Sequence, residues 1–226
     1  MKQWLVVGLM VALLSSQAHA DSNQVVERIA GGRFSVGIDA SWNQIPNWFF
    51  DIAKIDEYPT MSGYSASVRV KAYVLQGNWW ALAGVVEASY GSVSGDGAWK
   101  DRETAAKYSP FPDGKAEGRT KARMIGGTIG PEVTLRLWRQ LAFVFRIGVG
   151  GFDVEGGFSG DVSVGEGGAA GTSQPMSKDF HQALPGGKVS GGLQVPLGKG
   201  FSLLPEAYIS FPMGYGGNLA IQKTFQ

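Results

Sequence analysis

Three residues of the types that form a hydrolytic site lie close together in the chain: Ser177, Asp179 and His181. A hydrolase needs a nucleophile, a base that accepts its proton and an acid that orients the base, and these side chains can fill those roles. The triplet lies in a segment rich in glycine and serine, whereas catalytic groups need a rigid support. We therefore predict an incidental histidine and no catalytic residues, with a lipid-modifying enzyme as an alternative.

The sequence offers little that would hold a metal ion or a cofactor. It contains no cysteine, and only one histidine lies beyond the first 20 residues, which excludes ordinary zinc sites. The carboxylates in segments 51–57 and 96–103 lack the spacing of a calcium loop. The glycine-rich run 148–153 does not lead into a helical pattern, as a phosphate-binding loop would. We predict no metal and no cofactor.

Charged residues that alternate with apolar residues form the second chemically significant set. Five are cationic and three are anionic, and all occupy the polar faces of extended segments. If the segments enclose an interior, these charges must pair there, because an unpaired buried charge costs several kcal/mol. We predict a buried charge network, with a narrow pore lined by the positive surplus as the alternative. The eight residues are Asp39, Arg69, Lys71, Glu87, Lys121, Arg123, Arg146 and Glu206.

Period-two alternation predicts eight β-strands that position these charges. The fourth strand is ambiguous, because Lys121 and Arg123 have the same parity as Leu135 and Leu137. A bulge near its Gly-Gly or Gly-Pro pair would swap the two faces. Residues 152–166 either extend the fifth strand or form an extra hairpin, which would give ten strands. The predicted strands are 33–42, 64–75, 79–90, 119–138, 141–149, 188–195, 201–211 and 218–226.

The connections between the predicted strands alternate between tight and long, except that the last, 212–217, is short where a long one is due. Tight turns are predicted at 76–78, 139–140 and 196–200, and long loops at about 43–63, 91–118 and 155–187. Short turns on one side and long loops on the other are typical of a membrane-spanning barrel. Aromatic residues at both strand ends predict two interfacial girdles. One girdle comprises Trp42, Tyr64, Tyr90 and Phe211, and the other comprises Trp79, Trp80, Trp138, Phe201 and Phe225.

The first twenty residues have the pattern of a secretory signal. Lys2 precedes a short apolar run, and Ala18-His-Ala20 provides a cleavage motif. We predict that residues 1–20 are removed and that residues 21–226 form one domain. That domain has 19 basic and 19 acidic residues once Lys2 is excluded, so its formal charge is zero. A field of one sign is absent, and we predict no nucleic-acid partner.

With these features, residues 33–226 resemble the small, eight-stranded OmpA/OmpX-type outer-membrane barrels. The resemblance lies in the signal, the strand number, the loop rhythm and the terminal aromatic residue, Phe225. It implies an all-β fold with a single closed antiparallel transmembrane barrel, present as a monomer in the bacterial outer membrane. It also implies contact with outer-membrane lipid and lipopolysaccharide, and recognition of Phe225 by the barrel assembly machinery. Gln226 follows Phe225, whereas members of the family usually end on the aromatic residue itself.

The long loops are the remaining candidates for function. The first is unusually apolar, and it is predicted either to contact a surface ligand or protein or to fold over the barrel mouth. The candidate contact residues are Trp48, Phe49, Phe50, Trp99 and Tyr108. We predict a non-enzymatic structural or surface-interaction protein that acts through its loops. The alternatives are a narrow solute pore, a lipid A-modifying enzyme and a soluble periplasmic lipid-binding β-barrel.

Overall fold

A computed structural model describes residues 33–45, 55–101, 115–138, 141–164, 172–212 and 214–225. The predicted signal segment, 1–20, lies outside the described residues. The part of the chain that is described contains no helix long and apolar enough to cross a membrane. Its elements are β1 Phe34–Gln44, β2 Ile55–Glu57, β3 Ser62–Gln76, β4 Trp80–Asp101, β5 Lys115–Trp138, β6 Leu141–Val164, β7 Thr172–Gly198, β8 Phe201–Phe211 and β9 Gly214–Phe225.

Eight of these strands close into a ring. Each long strand pairs antiparallel with its neighbours in the order β1-β3-β4-β5-β6-β7-β8-β9, and β9 returns to β1 with Phe34 opposite Phe225. Among the described strands, the short β2 pairs with the far end of β4 alone. Closure leaves no sheet edge around the ring, which is the condition for strands to cross lipid. The predicted eight-stranded closed antiparallel barrel is confirmed, and residues 152–164 extend β6.

Side-chain alternation sorts the barrel wall into a polar inside and an apolar outside. On β1, Phe34, Ile38 and Trp42 are exposed outward, while Ser35, Asp39 and Ser41 are buried inward. Phe34 to Trp42 spans nine residues, which matches the ~9–11 residues of a tilted membrane-crossing strand. Many outward aromatic residues lie near the two ends of this apolar band. They include Trp42, Tyr64, Tyr90 and Phe211 at one end and Phe34, Trp79, Phe201 and Phe225 at the other.

The predicted long loops are much shorter than the spacing indicated. β4 continues to Asp101, β5 begins at Lys115, and the β6–β7 hairpin runs to Val164 and Thr172. The loops at 91–118 and 155–187 are therefore largely strand, and the loop at 43–63 contains β2. The reason is that a strand beyond lipid no longer needs an apolar outward face, so the alternation fades while the backbone ladder continues. We call the parts of β4–β7 beyond Tyr90 and Ile125 the external sheet.

The register of β5 corrects a second prediction. Its pairing with β4 continues without a shift from Lys115 to Leu135, so no bulge swaps its faces. Odd-numbered residues point outward along the described strand, including Lys121, Arg123 and Leu137. Two prolines do interrupt the hydrogen-bond ladders between strands. The β5–β6 ladder skips Pro131, and the β7–β8 ladder skips Pro205, because proline has no N–H to donate.

Candidate functional site

The buried interior of the barrel is organised around Arg69 on β3. Its guanidinium is 2.7 Å from Glu206 Oε2, 3.2 Å from Glu87 Oε2 and 3.4 Å from Asp39 Oδ2. Ser67 Oγ donates to Asp39 at 2.5 Å, and Asn218 Nδ2 donates to Glu206 at 3.0 Å. Charge-assisted bonds of this kind are roughly twice as strong as neutral ones. They tie β1, β3, β4, β8 and β9 together across the barrel.

Glu87 on β4 joins the remaining strands to this network. One of its oxygens is 2.7 Å from Arg146 Nη1, and the other is 2.7 Å from Lys188 Nζ. Below it, Lys71 Nζ lies 2.5 Å from Glu132 Oε1, and both side chains are almost fully buried. The interior network is therefore balanced. It contains Arg69, Lys71, Arg146 and Lys188 as cations and Asp39, Glu87, Glu132 and Glu206 as anions.

The structure brings six of the eight sequence-predicted charges together and places two elsewhere. Asp39, Arg69, Lys71, Glu87, Arg146 and Glu206 lie inside, whereas Lys121 and Arg123 are exposed on the outer wall. The prediction for these two residues was wrong because the sequence does not show which face of β5 points into the barrel. The same uncertainty concealed Glu132, whose even parity marks the true inner face of β5. Lys188 lies on the polar face of its predicted strand, so alternation alone identifies it as an inward-facing residue.

Apolar layers enclose the network along the barrel axis. On one side lie Val144, Leu204 and Ala220, all essentially inaccessible. On the other side, Phe152 belongs to a larger apolar cluster. Between the network and Phe152 there is a void of about 10 Å³, lined mainly by serine hydroxyls, Glu87, Lys188 and Tyr208. That volume holds about one water molecule. The positive surplus that would have lined a pore is absent from the described interior.

His181 does not form a triad with the residues that precede it in sequence. Ser177, Asp179 and His181 all point outward along β7, which places Ser177 about 13 Å from the histidine at ~3.3 Å rise per residue. His181 Nε2 instead lies 2.6 Å from Asp153 Oδ1 on β6, and both side chains are exposed. A histidine with an orienting acid is thus present on the outer wall, and Ser177 is beyond its reach.

The external sheet carries an apolar core of its own. Its inward face presents Val93, Trp99, Met124 and Phe158, all buried, with the rest of the cluster formed by Met61, Ala116, Ala122, Phe152 and Val154. Trp99, predicted as an exposed contact residue, is therefore a core residue of β4. The reason is that its odd parity on β4 directs it to the same side as Glu87.

Residues from both ends of the first predicted loop, 43–63, cover this core. Ile45 and Tyr58 pack against the cluster, and the Ile45 amide donates to the Met61 carbonyl at 3.0 Å. These two ends of the loop thus pack against the barrel mouth, whereas residues 46–54, on which the two alternatives depend, lie outside the described residues. Trp48, Phe49, Phe50 and Tyr108 lie outside the described residues. Phe225, the predicted assembly signal, faces outward and stacks on Phe34 with ring centroids 4.8 Å apart.

Eight antiparallel strands closed into a ring, with an apolar outer band and a filled, charged interior, define a transmembrane β-barrel. No protein-family model matches the chain, and no curated protein sequence matches it. Solved structures of other proteins are similar to it, with low sequence identities and TM-scores.

The attachment invasion locus protein Ail of Yersinia pestis is 13% identical over 84% of this chain and 95% of Ail, with a TM-score of 0.41. Neisserial surface protein A is 12% identical over 85% of this chain and 97% of its own, with a TM-score of 0.44. The outer membrane protease OmpT from Escherichia coli is 9% identical over 90% of this chain and 100% of its own, with a TM-score of 0.42. The fold assignment rests on the strand pairing described above.

Proposed function

We propose that this chain is an outer-membrane barrel that acts without catalysis, as a structural and surface-interaction protein, through its external sheet. The observation that carries the proposal is a difference between the strands at one end of the barrel. At that end, β1, β8 and β9 stop at the edge of the apolar band. The strands β4–β7 continue past it, and β5 reaches ten residues beyond Ile125 to Lys115, roughly 30 Å at ~3.3 Å per residue.

The closed interior supports a structural role for the barrel itself. Its four cations and four anions pair with one another, and apolar layers lie on both sides of them. A conducting pore needs a continuous wet path, which this packing does not favour. Export through the signal at residues 1–20, residence among outer-membrane lipid and lipopolysaccharide, recognition of Phe225 by the assembly machinery and a monomeric state are parts of the same proposal.

Gel mobility of the outer-membrane fraction, with and without boiling in detergent, tests the proposal. A closed barrel resists unboiled detergent because its backbone hydrogen bonds are satisfied internally. We therefore expect the chain in that fraction, with a mobility that changes on heating. Its recovery as a periplasmic protein without a heat-dependent shift would instead favour a soluble barrel that binds a lipid-like ligand.

Planar bilayers separate the structural role from the pore. We expect no discrete conductance steps from the purified, heat-shifting protein. Discrete steps that change when Arg146 is replaced by glutamine would contradict the closed interior. Extracted lipid A with the same mass spectrum in strains with and without the gene is the outcome expected for a non-enzymatic barrel.

A further inference from the structure

The end of the barrel that carries the tight turns is basic. Among the described residues, no carboxylate lies at its rim, and Glu132, the last one along β5, is buried and bonded to Lys71. At the opposite end the described residues carry both signs, and Arg119 lies 3.4 Å from Asp96. The two ends of the barrel therefore present different charges to their surroundings. The cations of the turn end are Arg33, Arg136, Lys199 and Lys223.

Three of these cations come together where β1, β8 and β9 end. The Arg33 amide donates to the Phe225 carbonyl at 2.9 Å, and the Thr224 amide donates to the Gly200 carbonyl at 2.8 Å. These bonds place Arg33 on one side of the end of β9 and the β7–β8 turn on the other. Neighbouring strands lie ~4.8 Å apart, so the cations share a rim roughly 10 Å wide. We call Arg33, Lys199 and Lys223 the basic rim.

Lys223 occupies an unusual place on the outer wall. On β9 it has the outward parity of Ile221 and Phe225, which are both exposed. Among the described residues, it is the only charged one on the outward face of the half of the apolar band that adjoins the turns. A charge that faces lipid is disfavoured, and the cost falls as the charge approaches the interface. The ammonium group of Lys223 must therefore reach the interface.

The contacts of Lys223 show how it does so. Its Nζ lies 4.2 Å from the ring centroid of Phe201 and donates to the Lys199 carbonyl oxygen. The apolar stem thus follows the wall while the ammonium is directed to the turn, as long cationic side chains do at a membrane interface. An ammonium group has three N–H donors, and the carbonyl accepts one of them. The others can bind an oxygen anion at the surface of the membrane.

The neighbourhood of the basic rim selects between classes of ligand. Arg33 and Lys199 are exposed, and the rings of Phe34, Phe201 and Phe225 face outward beside them. A ligand that contacts both groups needs an anionic part and an apolar part, as a phospholipid has. Each basic residue near a membrane surface strengthens the attraction of anionic lipid roughly 5-fold. A zwitterionic headgroup would instead bring its own cation next to three others.

We propose that the basic rim binds the headgroup of an anionic phospholipid. The phosphate lies among Arg33, Lys199 and Lys223, and the acyl chains follow the exposed rings of Phe201 and Phe225. Short turns of outer-membrane barrels face the periplasm, so the lipid belongs to the inner leaflet. The inference rests on the proposed function for the choice of leaflet alone, because the contacts at the rim require only that the barrel crosses a membrane.

A lipid titration followed by NMR measures the preference directly. The amide signals of Gly200 and Thr224 are recorded for the folded, heat-shifting barrel in phosphocholine micelles, while short-chain phosphatidylglycerol or short-chain phosphatidylcholine is added. We expect saturable shifts with phosphatidylglycerol, at a half-saturating concentration at least ~10-fold lower than with phosphatidylcholine. Equal responses to the two lipids would overturn the proposal. Because the heat shift is measured on the same sample, that result would leave the barrel itself confirmed.

Substitutions of Lys223 separate its charge from its packing. Lys223→Met should weaken phosphatidylglycerol binding by ~5-fold, since one cation is lost, whereas Lys223→Arg should bind the lipid as the parent does. The matched control removes three cations from the opposite end of the barrel and should leave the signals of Gly200 and Thr224 unchanged throughout the titration. Undiminished binding by Lys223→Met would contradict the site. The control variant carries Arg119→Gln, Lys121→Gln and Arg123→Gln.

Soluble glycerol phosphate distinguishes a lipid site from a site for any phosphate. It carries the same anionic group without acyl chains, so it lacks the apolar contacts with the barrel wall. We expect it to bind at least ~10-fold more weakly than phosphatidylglycerol in the same titration. Equal binding of the two would show that the rim holds free phosphate as well as lipid, and the lipid proposal would fail.

Discussion

At the scale of single residues, Glu87 determines whether the interior is stable. Its two oxygens face Arg69, Arg146 and Lys188, so one carboxylate is shared by three buried cations. Removing one partner of a buried ion pair costs more than the pair contributes, because the remaining charge stays buried without compensation. Glu155 is an exposed carboxylate on the outer wall, so its removal leaves no buried charge without a partner.

We expect Glu87→Gln to lower the free energy of unfolding by about 3 kcal/mol. Glu155→Gln is the matched control, and its effect should stay within ~0.5 kcal/mol, as for most surface substitutions. Guanidinium unfolding of the barrel in detergent micelles measures both. Equal destabilisation by the two variants would mean that the interior is hydrated enough to replace the lost carboxylate.

The sequence identifies most of this network through parity alone. Asp39, Arg69 and Glu206 alternate with apolar neighbours on strands whose two faces differ clearly. Alternation does not identify Glu132, because both apolar and charged residues occur at odd positions of β5. The sequence therefore does not show which face of β5 points into the barrel. Only pairing with β4 and β6 decides that question, and pairing is a property of the whole sheet.

At the scale of elements, glycine allows neighbouring strands to approach closely. Gly150 and Gly151 are adjacent on β6, yet a methyl group would have very different surroundings at each. A Cβ at Gly150 would lie 1.8 Å from the carbonyl oxygen of Gly127, whereas at Gly151 the nearest atom would be the Leu184 carbonyl oxygen at 3.5 Å. The first contact is impossible without movement of β5 or β6, and the second is ordinary.

Gly150→Ala should therefore destabilise the barrel by about 1–3 kcal/mol, the usual cost of forcing extra volume into a packed site. Gly151→Ala should change stability by no more than ~0.5 kcal/mol. Unfolding in micelles again provides the measurement. A tolerated Gly150→Ala would show that β5 and β6 can separate locally without loss of the ladder.

The strands within the apolar band are predictable from sequence, and their extensions are not. Lipid requires an apolar outward face, so residues 34–42 and 80–90 alternate clearly. Beyond the band, water solvates the outward face. Polar residues such as Ser159, Asp161 and Ser177 can therefore occupy outward strand positions as well as apolar residues can. The polar, glycine-rich composition of 155–187 therefore indicated a loop, although β6 and β7 pair through most of it.

At the scale of the whole molecule, the chain combines two cores of opposite character. The barrel interior is held by paired charges, and the external sheet by an apolar cluster that includes Val93, Trp99 and Phe158. They meet at Phe152, just above the void. Because the membrane-spanning ring closes without the upper hairpins, the barrel does not depend on the outer half of β6 and β7.

Shortening the β6–β7 hairpin tests this independence. Replacement of residues 159–177 by Asn-Gly, which favours a tight hairpin turn, should leave the heat-dependent mobility shift intact. Leu204→Asp is the opposite control. It places a charge in the fully buried layer beneath the network, and the shift should be lost. Loss of the shift in the shortened variant would show that the external core is required to form the barrel.

The pairing of β1 with β9 also fixes when the barrel can form. Phe34 and Phe225 lie at opposite ends of the described chain, yet they stack face to face at the seam. Until β9 has been synthesised, β1 and β8 would each expose an open edge, which lipid does not tolerate. Insertion is therefore expected only after β9 has been made, so a chain interrupted before β9 should remain outside the membrane, available to proteases.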